Sequence, residues 1–250
     1  MIKIAGMTGT EITQLDPKSV KRILLFDEIM YIALALGAFW QYDYFAGYYE
    51  GRWGYHAELK SGRHSDSFFD AKIMLSFPNM KALLARQMVM RLRRLNIIRP
   101  DWIAGVPNGA TQFAKEIAKI TGLEFVELVK DNNHIALNKR LGRGNLLLFE
   151  DVYSSGTGFR EAVSVIKLKS PNVRLLPIEP VILNRGWAKR IFIEEEHQNF
   201  RIVALAKCPM REWEPQECPL CKCGSRAIKP KEKNDNWRLI TTSQLSKREL

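Results

Sequence analysis

Cysteine is scarce in this chain, with four residues in 250, all in the last fifth. A disulfide framework holding the whole fold together is thereby excluded, and a reducing, cytoplasmic setting is the expectation. Long hydrophobic runs are missing as well. The most apolar early stretch, Ile29 to Trp40, is too short to span a bilayer and follows Asp27 and Glu28, and no small-residue cleavage site follows a basic start. Neither a membrane helix nor a signal peptide is expected. The chain has no Gly-x-Gly-x-x-Gly opening a helix and no Gly-Lys-Ser/Thr ending, which argues against a dinucleotide-binding turn or a P-loop. Acidic residues are the minority charge, 27 against 38 Lys and Arg, and the resulting net charge of +11 favours polyanionic partners. A polyphosphorylated small molecule and a nucleic acid both answer to that description. The basic clusters Arg91/Arg93/Arg94, Lys139/Arg140/Arg143 and Lys229/Lys231/Lys233 read equally well as solvated faces.

The most informative stretch is Leu146 to Arg160, LLLFEDVYSSGTGFR. Four apolar residues, Leu146 to Phe149, have the character of a strand buried on both faces of a parallel sheet. Two carboxylates follow, Glu150 and Asp151, then a small, hydroxyl-rich turn, Ser154, Ser155, Gly156, Thr157 and Gly158, which opens a segment of helical periodicity from Phe159. Amides at such a helix start meet an anion with unpaired N–H groups and the positive end of the helix dipole. Carboxylates beside a phosphate repel it unless they hold something else, such as sugar hydroxyls or a metal. A phosphorylated sugar meets both conditions. The plainer alternative is a strand-to-helix turn with Ser155 or Thr157 as N-cap and the acids solvated.

EDVYSSGTG resembles the phosphoribosyl-pyrophosphate (PRPP) signature of the type I phosphoribosyltransferases. Three further segments, in family order, are similar to those of the orotate phosphoribosyltransferases: LKSGRHSDSFFD (Leu59 to Asp70), DWIAGVPNGATQFAKEIA (Asp101 to Ala118) and VILNRG (Val181 to Gly186). The resemblance implies that Glu150 and Asp151 hold the ribose hydroxyls near the charge that develops at the anomeric carbon. It implies that Val152, Tyr153, Ser154, Ser155, Gly156, Thr157 and Gly158 clamp the 5-phosphate, and that Lys60 with the loop Pro107, Asn108 and Gly109 contacts PRPP. Phe68, Phe69 and Arg185 fall to the base, a flat anion suited to aromatic packing and a guanidinium fork. Mg²⁺ accompanies PRPP, held mainly by substrate oxygens. A homodimer is implied because relatives pair. Two departures stand out. Asn108 occupies a position where many relatives place Lys, and the loop VKDNNHIALNKRLGRG lacks the family's Arg-Lys-x-x-Lys-x-x-Gly lid pattern. Lys130 is the candidate for the lid cation that meets the leaving pyrophosphate.

Strands alternating with helices predict an α/β fold, a Rossmann-like parallel sheet flanked by helices, with ligands at the strand carboxyl ends. Helices are expected over 19–39, 79–95 and 111–120, and strands over 102–106, 125–129, 146–149, 173–176, 181–183 and 201–206. Residues 130–144 read as a polar loop, and Tyr42 to Tyr55, with five Tyr, one Phe and one Trp, as an aromatic loop or hairpin. Three regions follow: an N-terminal helix and hood (1–70), a core (71–206) and a cysteine-containing appendage (207–250). In that appendage Cys218 and Cys221 have zinc-knuckle spacing, and Cys208 and Cys223 complete a candidate structural Zn²⁺ set, with His197 able to replace either. Reduced thiols or a disulfide are the other readings. The function expected is phosphoribosyl transfer from PRPP to orotate. Transfer to another base, and an inactive PRPP-sensing regulator that binds nucleic acid, are the alternatives; nucleic acid is not required for the first, and no membrane is.

Overall fold

A seven-stranded sheet carries the first of two compact units in the computed structural model, which describes residues 3–132, 134–233 and 235–246. This unit comprises Met1–Leu36 and Ala71–Pro209, and the second comprises Gly37–Asp70 and Met210–Leu250. The partition differs from the three-region reading: the N-terminal helices go with the core, and the hood region goes with the C-terminal segment. Buried Gln87 explains the first part of that difference. Its amide accepts from the Leu24 N–H at 2.7 Å and donates to the Arg22 carbonyl at 2.9 Å, fastening the N-terminal segment to the helix Pro78–Arg93.

In the first unit the strand order is Arg190–Ile193, Gln198–Lys207, Ile178–Asn184, Gly144–Tyr153, Trp102–Gly105 and Glu124–Val126, with Val173–Leu175 also paired to Gly144–Tyr153. All pairings are parallel except that of the edge strand Arg190–Ile193. The central strands are apolar on both faces because helices cover them, and Phe159, Ala162, Val163 and Ile166 of the helix Thr157–Lys169 are all buried against one side. The expected helix over 19–39 is shorter, Phe26–Ala35, since Gly37 breaks it and Phe39–Gln41 is a strand. Residues 130–144 are not an open loop. They contribute to a hairpin of Leu128–Asp131 with His134–Leu137, whose Leu128, Ile135 and Leu137 join the core. The apolar pairs Leu128/Val129 and Ile135/Leu137 on either side of the polar centre were the available strand signal. The Ile135 N–H donates to Glu161 Oε1 at 2.8 Å, pinning the hairpin to the motif helix.

The second unit holds a four-stranded sheet, Glu212–Trp213, His64–Ser65, Tyr55–Glu58 and Arg226–Ile228, and an antiparallel pair, Phe39–Gln41 with Ser67–Phe69. Its core gathers Trp40, Tyr42, Ala57, Cys218, Leu220 and Ile240. The aromatic stretch 42–55 contains a short helix, Tyr44–Tyr48, and much of it packs inward: Tyr42 is buried with its ring edge-on to Tyr44 at 5.3 Å. Phe45 and Tyr49 remain exposed. Among the described residues no helix is long and apolar enough to cross a membrane.

Candidate active site

Three adjacent parallel strands of the first unit end together. Gly105 pairs with Phe149, and Tyr153 pairs with Asn184, so Pro107–Gly109, the acids with their glycine-rich turn, and Arg185 all lie at or beyond neighbouring carboxyl ends. This is the place where open α/β sheets bind ligands. The turn is fastened to its neighbours through the backbone: the Val106 N–H donates to the Phe149 carbonyl at 2.8 Å, and the Arg185 N–H to the Tyr153 carbonyl at 3.1 Å.

Glycine allows the close approach at two points. A Cβ on Gly109 would overlap the Asp151 carboxylate, and one on Gly158 would stand 2.9 Å from Glu150 Oε1. The loop after one strand and the first turn of the motif helix therefore press directly on the two acids. Gly109→Ala is expected to displace the Asp151 carboxylate and lower transferase kcat/KM by about 10²-fold, the scale of an ångström-sized misplacement. Steady-state kinetics with an unchanged circular dichroism spectrum would establish this, and wild-type kinetics would refute it.

The turn 154–158 differs from the capped alternative. Neither Ser155 nor Thr157 caps the helix; Gly156, in the left-handed region, is the N-cap and supplies no side-chain acceptor. Ser155 and Thr157 bond to each other, Oγ to Oγ1, at 2.9 Å, and both are exposed with Ser154. The first-turn amides of a 13-residue helix thus meet no N-cap side chain, and three hydroxyls surround them. Tyr153 is buried in the core and Val152 half-buried, so near the turn Tyr153 presents backbone.

Burial separates the acids. Asp151 is half-buried, and its Oδ1 accepts from the Val152 N–H at 3.0 Å. Glu150 is buried beside Glu179, a residue that sequence reasoning passed over. Desolvation, then the charge of Glu179, pushes the Glu150 carboxyl well above its usual range. Desolvation lifts Glu179 to about 7. Desolvation and the neighbouring acid thus both oppose a charge on Glu150. The available signal was a lone acid in the apolar strand IEPVILN.

Arg185 is half-buried in a turn shaped by buried Asn184, whose Oδ1 accepts from the Gly186 N–H at 2.9 Å and whose Nδ2 donates to the Ala188 carbonyl at 2.8 Å. Lys130 is exposed on the hairpin strand Leu128–Asp131. The remaining candidates belong to the second unit. Lys60 is exposed in the hairpin turn, Phe69 is buried, and half-buried Phe68 packs against the Trp237 ring at 5.8 Å with Lys231 Nζ over its face at 5.5 Å. A cleft of about 510 Å³, lined by Arg93, Arg99, Pro100, Thr121 and Leu123 among others, lies toward the amino ends of the strands and takes in none of the candidate residues.

No protein-family model matches the chain. Orotate phosphoribosyltransferase of Heliobacterium modesticaldum is 26% identical over 179 residues, covering 70% of this chain and 88% of its own length. Among solved structures, orotate phosphoribosyltransferase from Aeropyrum pernix superposes with a TM-score of 0.54 at 15% identity, over 72% of this chain and 93% of that one. This is the type I phosphoribosyltransferase fold. The curated relatives that the chain resembles are orotate enzymes. Leishmania donovani UMP synthase shares the phosphoribosyltransferase fold at a TM-score of 0.50 and 20% identity; the match covers 60% of this chain and 32% of that longer one. The strand ends described above bring the acids, the glycine-rich turn and the Pro107–Gly109 loop together.

Metal-ligating side chains gather elsewhere. Cys218 and Cys221 stand with His56 and His64 in the second unit, all four donor atoms within 4.8 Å of one another. The four-cysteine set is not what assembles. Cys208 belongs to the first unit, as does His197, and the Cys223 thiol instead donates to the Tyr48 hydroxyl at 3.4 Å. Chain spacing showed the knuckle, but the histidines come from a hairpin more than 150 residues earlier.

Proposed function

We propose that the chain transfers the 5-phosphoribosyl group of PRPP to orotate, giving orotidine 5-phosphate and pyrophosphate. The observation that carries this reading is the convergence of Glu150, Asp151, the Ser154–Gly158 helix start and the Pro107–Gly109 loop at the ends of adjacent strands. The choice of orotate rests on the relatives and on the order of the four motifs. The amides and hydroxyls of 154–158 clamp the 5-phosphate, and Asp151 and Glu150 take the ribose hydroxyls. As the C–O bond to pyrophosphate breaks, the anomeric carbon gains positive character, and the negative charge of Asp151 stabilises it electrostatically. The oxygen-only donors at this lip suit a hard cation such as Mg²⁺, which would supply charge neutralisation to the leaving pyrophosphate. Lys60 contacts PRPP, Lys130 is the lid cation, and Arg185 anchors the base carboxylate with Phe68 and Phe69 on the base side. The homodimer belongs to this reading through the resemblance alone.

The test is pyrophosphate release from PRPP and Mg²⁺ with a panel of free bases. Turnover with orotate alone supports the reading, and turnover only with a purine or uracil redirects it to another base. No turnover, together with steeply salt-dependent nucleic-acid binding that responds to PRPP, would replace it with the regulator. Arg185→Leu is expected to raise the orotate KM by about tenfold or more, the scale of a lost charge-assisted hydrogen bond, while PRPP affinity is kept. Unchanged orotate kinetics would remove the assignment.

A further inference from the structure

We propose that His56 Nε2, His64 Nδ1, Cys218 Sγ and Cys221 Sγ bind one Zn²⁺ as a closed structural site. The ion would fasten the hairpin 55–65 to the C-terminal segment of the second unit.

The argument begins with register. His56 lies on the strand Tyr55–Glu58 and His64 on the strand His64–Ser65, antiparallel with Glu58 opposite His64. Side chains alternate along a strand, so His56 and His64 emerge on one face of the hairpin as diagonal neighbours. Cys218 precedes the helical turn Pro219–Lys222 and Cys221 lies within it, so the two thiols come from a single knuckle. Behind the knuckle the Ser225 N–H donates to the Leu220 carbonyl at 3.0 Å, and the strand Arg226–Ile228 pairs with Tyr55–Glu58, placing Ala227 opposite His56.

Distances identify the arrangement as a coordination shell. His56 Nε2 lies 3.2 Å from His64 Nδ1 and 3.5 Å from each sulfur, and Cys221 Sγ lies 3.3 Å from His64 Nδ1. A ring nitrogen has one hydrogen or one lone pair, so it cannot serve three such neighbours as a hydrogen-bonding group. A shared cation serves all of them. Tetrahedral Zn²⁺, with nitrogens at ~2.0–2.1 Å and sulfurs at ~2.3 Å, requires edges of about 3.3 Å between nitrogens and about 3.5 Å between nitrogen and sulfur. The four edges above fall close to those values.

The second layer of contacts fixes the tautomer. The Ser225 hydroxyl donates to the Gly54 carbonyl at 3.2 Å, so its oxygen accepts from His56 Nδ1–H at 2.8 Å, leaving the Nε2 lone pair for the metal. His56, His64 and Cys218 are buried and Cys221 half-buried, and four protein donors leave no position for a substrate. A tetrahedral S₂N₂ set selects Zn²⁺ over the hard oxygen-loving ions, and its closure marks it as structural. The turn that the two histidines flank is LKSGR. Lys60 sits in it, so the ion would order a residue that the proposed function assigns to PRPP. That consequence rests on the transferase reading, whereas the metal content does not.

The experiment uses the full chain, reconstituted anaerobically with Zn²⁺ and desalted. One Zn²⁺ per chain is expected by elemental analysis, and X-ray absorption should show two sulfur and two nitrogen neighbours. Cys218→Ser and His56→Asn should lose the ion, while Cys208→Ser and Cys223→Ser keep it. Removing the metal with a strong chelator should raise hydrogen exchange in residues 59–63. A wild-type protein that folds but holds no stoichiometric metal, a Cys218–Cys221 disulfide that persists under reductant, or a shell of four sulfurs would each overturn the proposal. Absence of orotate turnover with full metal occupancy would count against the transferase reading alone.

Discussion

Asp151→Asn should lower kcat/KM for PRPP by about 10²–10³-fold, the scale seen when one electrostatic stabiliser of a developing charge is removed, and leave the thermal midpoint nearly unchanged. The reason lies in the different surroundings of the two acids. Asp151 is half-buried at the lip, pressed against the Pro107–Gly109 loop. Glu150 is buried against Glu179, and desolvation together with that neighbour's charge pushes its carboxyl well above the usual range, so a negative charge there is costly. Glu150→Gln, which preserves shape and hydrogen bonding, should therefore cost clearly less than Asp151→Asn. Steady-state kinetics on both variants decide the matter. Equal losses would mean that Glu150 is ionised in the working enzyme, and no loss at Asp151 would end the electrostatic account.

The second large effect concerns stability. Glu179 is buried, neither of its carboxylate oxygens has a hydrogen-bond partner, and its folded pKa stands at about 7 against an ordinary value of 4.5. A carboxyl whose pKa is raised by folding is comfortable only when protonated. Its contribution is intact below the unfolded pKa and is lost as pH climbs from about 4.5 through 7. Glu179→Gln removes that loss. At about pH 8 the variant should be more stable than wild type by up to about 3 kcal/mol, and near pH 5 the two should nearly coincide. Urea denaturation at both values checks this. A pH-independent difference would show that the carboxyl ionises freely in the folded protein. If the buried acid also tunes Glu150, the variant should shift the acidic limb of the pH–rate profile.

The order of acids, small residues and glycines after an apolar strand made the strand–turn–helix legible directly from the chain, since each residue type there has a local reason: backbone access, hydroxyl donors, a helix start. The parallel sheet was legible for a similar reason, because strands buried on both faces lose the polar alternation that solvent would impose. The pairing of 128–131 with 134–137 was missed because the polar and charged residues at its centre read as a loop, although Leu128, Ile135 and Leu137 gave an apolar signal on either side. Chain order also hid the partition of the molecule. Residues 37–70 and 210–250 are far apart in sequence, yet their strands pair edge to edge.

By itself the sequence determined the fold class, the acid-and-glycine turn after the apolar strand and the cysteine knuckle, for these are written in contiguous residues whose periodicity and chemistry act over one turn or one strand. Tertiary structure decided which groups are dry and which distant donors meet. It set Glu179 beside Glu150, leaving one of two adjacent acids dry and the other half-exposed, and it brought His56 and His64 to Cys218 and Cys221. Burial and convergence are properties of surfaces that form only when separate segments pack, and no spacing along the chain records them.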